Sequence, residues 1–214
     1  KLVTGSFGTL VALTEVVLKV LPKKKLSNTI AIHTEDKNLV NELFEKISSS
    51  SSEVSGAVYV PDEPQDKSYN HNKEMVFKFN DLESNGSFLA LRIEGDKLSI
   101  NERIKALTDE LELNKLNTTT LDVHQSVPFW IKINNLELFA KTKNNLLRAV
   151  IPPSKGNELM QKLENKYKYY VDWCGFLYWI EVQSKKSMKI VEIKKIIKEL
   201  GGYLTIIKTS ADYD

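Results

Sequence analysis

The chain has 214 residues, 42% of them hydrophobic, and can bury roughly 70% of its unfolded surface without help from disulfides or metals. Thirty Lys and Arg against 28 Asp and Glu leave a net charge of +2, which does not indicate a nucleic-acid partner. The single cysteine, Cys174, excludes an internal disulfide and is typical of a reducing compartment. The longest apolar run, Leu10 to Leu21, contains Glu15 and Lys19, so no direct membrane span is expected. These features predict a cytoplasmic protein.

The first twenty residues combine a glycine loop with an apolar run. Gly5 and Gly8 lie three residues apart beside a serine and a threonine, a pattern typical of a backbone that approaches a phosphate. An ordinary turn is the alternative interpretation of the two glycines taken alone. Alternating apolar residues from 16 to 20 predict a packed strand that ends at Pro22.

Residues 26 to 123 carry strand and helix patterns in regular succession. Asp36 is the expected cap of the first helix, and Ser99 with Glu102 forms the expected capping box of the second. Strand patterns lie at 26–33, 54–60, 75–79, 88–93 and 118–123. We expect 75–79 and 88–93 to pair as a hairpin. Apart from one additional strand, the order is strand, helix, strand, strand, helix, strand, which is typical of a ferredoxin-like fold.

A connecting helix is expected to begin at Pro128, and the same order then returns. Strand patterns lie at 146–151, 167–172, 176–182 and 203–207, and helix patterns at 157–163 and 188–200. Gly201 supplies the left-handed cap of the last helix. The predicted fold class is α+β, a tandem ferredoxin-like cap domain with an antiparallel sheet and halves at about 26–125 and 145–208.

The whole stretch from Val3 to Pro22 resembles a signature of FAD-linked oxidases of the vanillyl-alcohol oxidase and p-cresol methylhydroxylase (PCMH) type. The resemblance implies that FAD contacts Gly5, Ser6, Phe7, Gly8, Thr9 and Leu10. It also implies that residues 1–24 are the last loop and strand of a PCMH-type FAD-binding domain and that 25–214 form the cap or substrate domain. Val11 departs from the pattern, because the family has a glycine there.

Four later motifs resemble the C-terminal half of the FAD-binding (E) subunit of bacterial glycolate oxidase. They are Phe129-Trp130, the run from Leu147 to Pro153, Asp172 to Gly175 followed by Trp179, and Gly201 to Thr205. The resemblance implies an FAD-dependent oxidoreductase in which hydride passes from a small 2-hydroxy acid, glycolate, to the flavin. It also implies a paralogous flavoprotein subunit and an iron–sulfur subunit as partners. Through them, the chain would lie in the cytoplasm or at the inner face of the cytoplasmic membrane.

The family's N-terminal half, with its pyrophosphate loop, would precede Lys1. This chain is therefore expected to be a C-terminal portion, natural or excised, that binds FAD weakly or not at all when alone and is then inactive. A cofactor site built from two halves of a protein is incomplete in either half.

Two residues are candidates for chemistry. Arg148 is suited to a substrate carboxylate, because a guanidinium binds carboxylates in a bidentate manner; a structural ion pair is the alternative. His124 is a candidate general base, with a helix-cap or surface role as the alternative. Three scattered histidines do not predict a metal site.

Two other classes of function remain open. In one, the chain is a non-catalytic assembly module that docks to the flavoprotein or iron–sulfur subunit through its aromatic cap surface, and exposure of Trp130, Trp173 or Trp179 in one patch would favour it. A ligand-sensing pair of domains is the third alternative, and it rests on fold analogy alone.

Overall fold

The structure, a computed structural model, describes residues 3–20, 22, 24–61, 86–183 and 187–210. Within these residues the chain is α+β, with five α-helices and a single sheet of eight strands whose pairings are all antiparallel. The first six elements are β1 (Leu26–His33), α1 (Lys37–Ser49), β2 (Val54–Val60), β3 (Phe88–Gly95), α2 (Lys97–Glu110) and β4 (Thr118–Leu121).

A connecting helix, α3 (Val123–Asn134), leads into a second set in the same order. The set consists of β5 (Asn145–Val150), α4 (Gly156–Leu163), β6 (Lys168–Asp172), β7 (Leu177–Val182), α5 (Ser187–Glu199) and β8 (Tyr203–Lys208). The strand order is β4-β1-β3-β2-β6-β7-β5-β8, so the second set has the reverse order of the first. The two sets join where Tyr59 of β2 faces Val171 of β6.

Four helices cover one face of this sheet. Apolar residues of α1, α2, α4 and α5 share a buried cluster with residues of six strands, β1, β2, β3, β5, β6 and β7. The apolar side of α1, for example, contributes Leu43 and Phe44, which are 1% and 2% exposed. Burial of one helical face against the sheet is the expected source of stability for helices of 8 to 14 residues.

Two helix starts differ from the sequence prediction. Helix α2 begins at Lys97 behind Asp96, and Ser99 is its third residue: the Ser99 hydroxyl accepts a hydrogen bond from the Asp96 N–H at 3.2 Å. Helix α3 begins at Val123, not at Pro128, which lies inside it. The start is set by Asp122, whose Oδ1 accepts N–H groups that the first turn leaves without helical partners.

The strand predicted at residues 16–20 is not formed. Val16, Val17 and Leu18 lie in an irregular segment and are 57%, 90% and 75% exposed. Alternation favours a strand, but a strand also needs a hydrogen-bonded neighbour, and none is present in the part of the chain that the structure describes. The predicted strand at 75–79 lies outside the described residues. Strand β3, its predicted hairpin partner, pairs with β1 on one side and with β2 on the other.

Among the described residues, no helix combines the length and apolar character that a membrane crossing requires.

Candidate functional site

The second face of the sheet carries the side chains singled out by the sequence. Arg148 on β5 lies directly opposite Trp179 on β7 and Thr205 on β8, and Trp179 lies opposite Tyr170 on β6. Residues directly opposite one another share a face of an antiparallel sheet. The Tyr170 hydroxyl donates a hydrogen bond to the Ile133 carbonyl of α3 at 3.2 Å, so this is the face on which α3 lies.

Helix α3 closes this face over the first set of strands. Trp130 is 4% exposed, and its indole Nε1 donates to the Thr29 hydroxyl at 2.8 Å. Ser126 of α3 in turn bonds the hydroxyls of Thr29 at 2.7 Å and Ser27 at 3.0 Å. Every polar group of this buried cluster thus has a partner, which is what burial of hydroxyls and an indole N–H requires.

Arg92 also lies beside this cover and makes several polar contacts. Its guanidinium carbon lies 4.8 Å from the centre of the Trp130 ring. Its Nε and Nη2 donate to the hydroxyl and the carbonyl of Ser55, each at 3.0 Å. Glu94 completes its surroundings with an Nε–Oε2 distance of 3.5 Å. Arg92 therefore has a structural role.

The cover ends part of the way along β5. Phe139, in the short turn after α3, stacks on Tyr170 with ring centres 5.7 Å apart. Leu146, at the start of β5, is 5% exposed beneath this cover. Arg148 and Val150, two and four residues further along the same face, are only partly buried. The open part of the face therefore begins at Arg148.

Arg148 has no hydrogen bond and no ion pair within the described ranges. The acidic partner expected from the structural alternative is therefore not found there. The recorded neighbour of Arg148 is aromatic: the guanidinium carbon lies 5.6 Å from the ring centre of Trp173, a side chain that is 60% exposed. A half-buried guanidinium beside indole rings keeps its donors available for an anion.

A strained turn between β6 and β7 holds Trp173 in this place. Trp173 and Cys174 have φ of 51° and 52°, followed by Gly175 at 88°. Left-handed backbone costs a residue with a side chain roughly 1–2 kcal/mol. The Asp172 Oδ1 accepts the Trp173 N–H at 2.7 Å. Phe44 packs so closely below that a Cβ on Gly175 would lie 3.3 Å from its ring. These contacts offset the strain.

Burial dominates the electrostatics of this turn. It raises the pKa of the Asp172 carboxyl, against the opposing effects of the Trp173 N–H and of Arg92. Burial, aided by the charge of Asp172, raises the pKa of the Cys174 thiol to about 11. The thiol is therefore neutral at physiological pH, and Cys174 is a packed side chain without nucleophilic character.

His124 lies apart from Arg148. It is exposed in the first turn of α3, where its backbone N–H donates to the Asp122 Oδ1 at 2.8 Å. That turn follows β4, which is at the opposite end of the sheet from β5 and β8. The structure does not bring the two candidates together, and this location is the surface role that was the alternative for His124.

The glycine loop forms two consecutive turns. The N–H groups of Ser6 and Thr9 donate to the carbonyls of Val3 and Ser6 at 3.2 and 2.9 Å. Gly5 and Gly8 have φ of 82° and 76°, and no atom lies within 4 Å of where a Cβ would be on either. Both positions favour glycine, because they lie in the left-handed region.

This loop is open on the side of its two left-handed glycines. The N–H groups of Ser6 and Thr9 and the Thr9 hydroxyl already donate to carbonyls within the loop, so they do not offer free donors to a phosphate. Phe7 is 93% exposed and offers an apolar surface beside the two glycines. Within the described part of the chain, nothing packs against the loop from the other side. The residues therefore suit apolar contact with the cofactor but form only one wall.

Sequence reasoning missed two features of the site. It treated Trp130 as a candidate surface residue, whereas Trp130 is buried and its indole N–H donates a hydrogen bond to the Thr29 hydroxyl. It also missed the left-handed geometry at Trp173 and Cys174, for which no signal exists in the sequence, because neither residue type favours positive φ. The only local indication was Gly175, which is compatible with many turns.

The fold and this face define an α+β protein with one antiparallel sheet, helices on both faces, and a partly buried arginine beside an exposed tryptophan. No protein-family profile matches the chain, and no curated protein sequence matches it. Among solved structures, an alkyldihydroxyacetonephosphate synthase matches with a TM-score of 0.39 and 13% sequence identity. The match covers 84% of this chain and 40% of that chain, so the present chain corresponds to less than half of that protein. We base no conclusion on this likeness.

Proposed function

We propose that the chain is the C-terminal part of an FAD-dependent 2-hydroxy-acid oxidase or dehydrogenase subunit of the glycolate oxidase type. The observation that carries this proposal is Arg148, which is half-buried on the open sheet face and has no acidic partner among the described residues. Every 2-hydroxy acid carries a carboxylate, the group that a guanidinium binds best. Arg148 would bind and orient that carboxylate.

The division into domains follows the same proposal. Residues 26–125 and 145–208 would be two ferredoxin-like halves of the cap. Their shared element order and mirrored strand order support this interpretation. Residues 1–24 would belong to the FAD-binding domain, which is consistent with the irregular and exposed conformation of the described part of that segment.

The residues of this chain would divide the work between two sites. The backbone from Gly5 to Leu10 would contact the FAD, which supplies a hydride acceptor when bound. Arg148 would fix the substrate by its carboxylate, and Trp173 and Trp179 would exclude water from the same region. The general base that removes the hydroxyl proton is left unassigned.

The experiment that tests this proposal uses the complex purified from its source through a tag on this chain. Under anaerobic conditions, addition of glycolate is expected to bleach the absorbance of oxidised flavin. Arg148→Gln is expected to raise KM about 10- to 100-fold, the usual range for loss of a charged hydrogen bond. Arg103→Gln is the matched control, because Arg103 lies on α2 and bonds Glu53 and the Glu94 carbonyl. Equal kinetics of the two variants would contradict the role of Arg148.

A second measurement tests the glycine loop. Gly8→Val places a side chain at a φ of 76°, which valine adopts only with strain, and is expected to lower the flavin content of the complex. Gly86→Val is the control, because its surroundings are also open and its φ lies outside the left-handed region. Unchanged flavin content in the Gly8 variant would remove the loop from the cofactor site.

A non-catalytic assembly module is the second candidate function. The supporting observation is the exposure of the large apolar residues between 7 and 20, among them Val17 at 90% and Val20 at 80%. Trp130 is buried and therefore does not contribute to the aromatic patch suggested for this role. Copurification of a flavin-free chain with its partner subunits, abolished by Val17→Asp, would favour this function over the first.

A further inference from the structure

The open face around Arg148 is lined by aromatic side chains from three elements. Trp179 lies opposite Arg148 on β7, and Trp173 reaches it from the β6–β7 turn. On β8, Tyr203 lies opposite Val150, which shares a face with Arg148, and is 59% exposed. Arg148 thus lies beside the Trp173 ring and shares its sheet face with Trp179, Tyr203, Val150 and Thr205.

We propose that this surface selects 2-hydroxy monoacids with an aromatic side chain over glycolate. The inference rests on the proposed function for the role of Arg148, and it adds the class of substrate. Glycolate has no side chain and would leave the indole rings without a contact. An aromatic 2-hydroxy acid would bind Arg148 through its carboxylate and pack its ring against Trp173 and Trp179.

The conformation of Trp173 supports this assignment. Its backbone is left-handed, and its indole lies over Arg148 with 60% of the residue exposed. Backbone strain of this kind concentrates at ligand sites, where the surrounding structure maintains it. An exposed tryptophan held over an arginine is a ready-made contact for a planar apolar anion.

The alternative that Trp173 only shields Arg148 can be compared with the first set of strands. There the ring over Arg92 belongs to Trp130, which is buried and donates its indole N–H to Thr29. Trp173 has no recorded side-chain hydrogen bond within the described residues, and most of it faces solvent. The indole of the Arg92–Trp130 pair is therefore buried, whereas the indole of the Arg148–Trp173 pair is accessible to solvent.

The test is a binding titration of the purified full chain, followed by intrinsic tryptophan fluorescence and by calorimetry. The probes are 3-phenyllactate and glycolate at matched ionic strength. We expect 3-phenyllactate to bind at least about tenfold more tightly, the gain typical of one aromatic pair together with the burial of its ring. Arg148→Gln is expected to weaken the binding of both acids, whereas Arg103→Gln leaves both unchanged.

The aromatic contribution is tested by Trp173→Ala, with Leu98→Ala as the control at an exposed apolar residue of α2. Trp173→Ala is expected to reduce the preference for 3-phenyllactate to about twofold or less while changing glycolate binding little. Circular dichroism verifies that each variant is folded. Retention of the full preference in Trp173→Ala, or equal affinities for the two acids in the unchanged chain, would overturn the inference.

The outcomes separate this inference from the proposed function. Flavin reduction by glycolate and by 3-phenyllactate with equal KM, lost in Arg148→Gln, would support the oxidase and overturn the aromatic preference. Arg148-dependent binding of 3-phenyllactate by the chain, with no flavin reduction in the complex, would support the ligand class and contradict the oxidase. Displacement of 3-phenyllactate by FAD would assign the face to the flavin and overturn the inference.

Discussion

The two sets of strands differ in what lies on their second face. In the first, α3 covers the face, and beneath it the Thr29 hydroxyl is hydrogen-bonded to both the Trp130 indole N–H and the Ser126 hydroxyl. In the second, the cover stops near Leu146, and Arg148 lies beyond it beside an exposed Trp173. The strand order is the same in both when read from the outer strand inwards.

The comparison shows how one scaffold yields a covered half and an open half. An arginine and an indole occur on both, but Arg92 donates to Ser55 and lies beside Glu94, whereas Arg148 has no hydrogen bond among the described residues. Saturated polar groups stabilise a fold, and accessible ones bind ligands. The presence or absence of a covering helix decides between the two.

The largest expected effect is that of removing the indole under α3. Trp130→Ala deletes a buried ring, the bond to Thr29 and the contact with Arg92, and is expected to lower the free energy of unfolding by about 3–5 kcal/mol. Urea denaturation measures it. Trp173→Ala, on the open face, is expected to change stability by about 0.5 kcal/mol or less. Similar losses in both variants would mean that the second half is closed as well.

The reactivity of Cys174 tests whether the turn under Trp173 stays packed. With a pKa of about 11 against an ordinary value of 9.0, the thiolate fraction near pH 8 falls about hundredfold. Alkylation by iodoacetamide, followed by mass spectrometry, is expected to be slower in that proportion than in the same chain unfolded by urea. Equal rates would show that the turn opens and exposes the thiol.

A smaller effect is expected from the hydroxyl at the centre of the covered half. Thr29→Val leaves the Trp130 N–H without its acceptor and removes one partner of Ser126, at a cost of about 1–3 kcal/mol. Thr205→Val is the control, because Thr205 is a partly buried strand threonine of the second half. Calorimetric unfolding compares the two. A loss as large for Thr205 would contradict the contrast between the halves.

The smallest effect concerns the dependence of stability on pH at Asp172. Because burial raises the folded-state pKa of its carboxyl, the folded state holds that proton to higher pH than the unfolded state does. Its contribution to stability is therefore present below the unfolded pKa and is lost as pH rises through the folded one. Asp172→Asn keeps an oxygen that can accept the Trp173 N–H but has no ionisable carboxyl, so it does not lose stability in this way as pH rises.

The stability of Asp172→Asn relative to the unchanged chain is accordingly expected to increase as pH rises from acid towards neutral. Urea denaturation at several pH values measures the difference, and Asp109→Asn serves as the control for an exposed aspartate. A difference that stays constant, or that decreases with rising pH, would show that burial does not govern the ionisation of Asp172.

Much of the fold was predictable because its causes are local. Strand β2 was predicted at its observed bounds, since a run of β-branched and aromatic residues favours extended backbone. Asp36 caps α1 as expected, accepting the Asn38 N–H at 2.9 Å. Gly201 takes the left-handed conformation expected after the last helix, with a φ of 78°. Helix α3 was misplaced because Asp122, a stronger start signal than Pro128, was taken as part of a strand boundary.

The sequence by itself determined the order of helices and strands and identified Arg148 as a candidate, because periodicity, capping and side-chain chemistry are properties of short stretches. Only the tertiary structure decided which face α3 covers, that Trp130 is buried and Trp173 exposed, and that residues 16–20 have no strand to pair with. These outcomes depend on contacts between residues far apart in the chain. Arg148 and Arg92 have the same chemistry, and only their surroundings differ: Arg92 donates to Ser55 beside the buried Trp130, and Arg148 lies on the open part of the face beside Trp173.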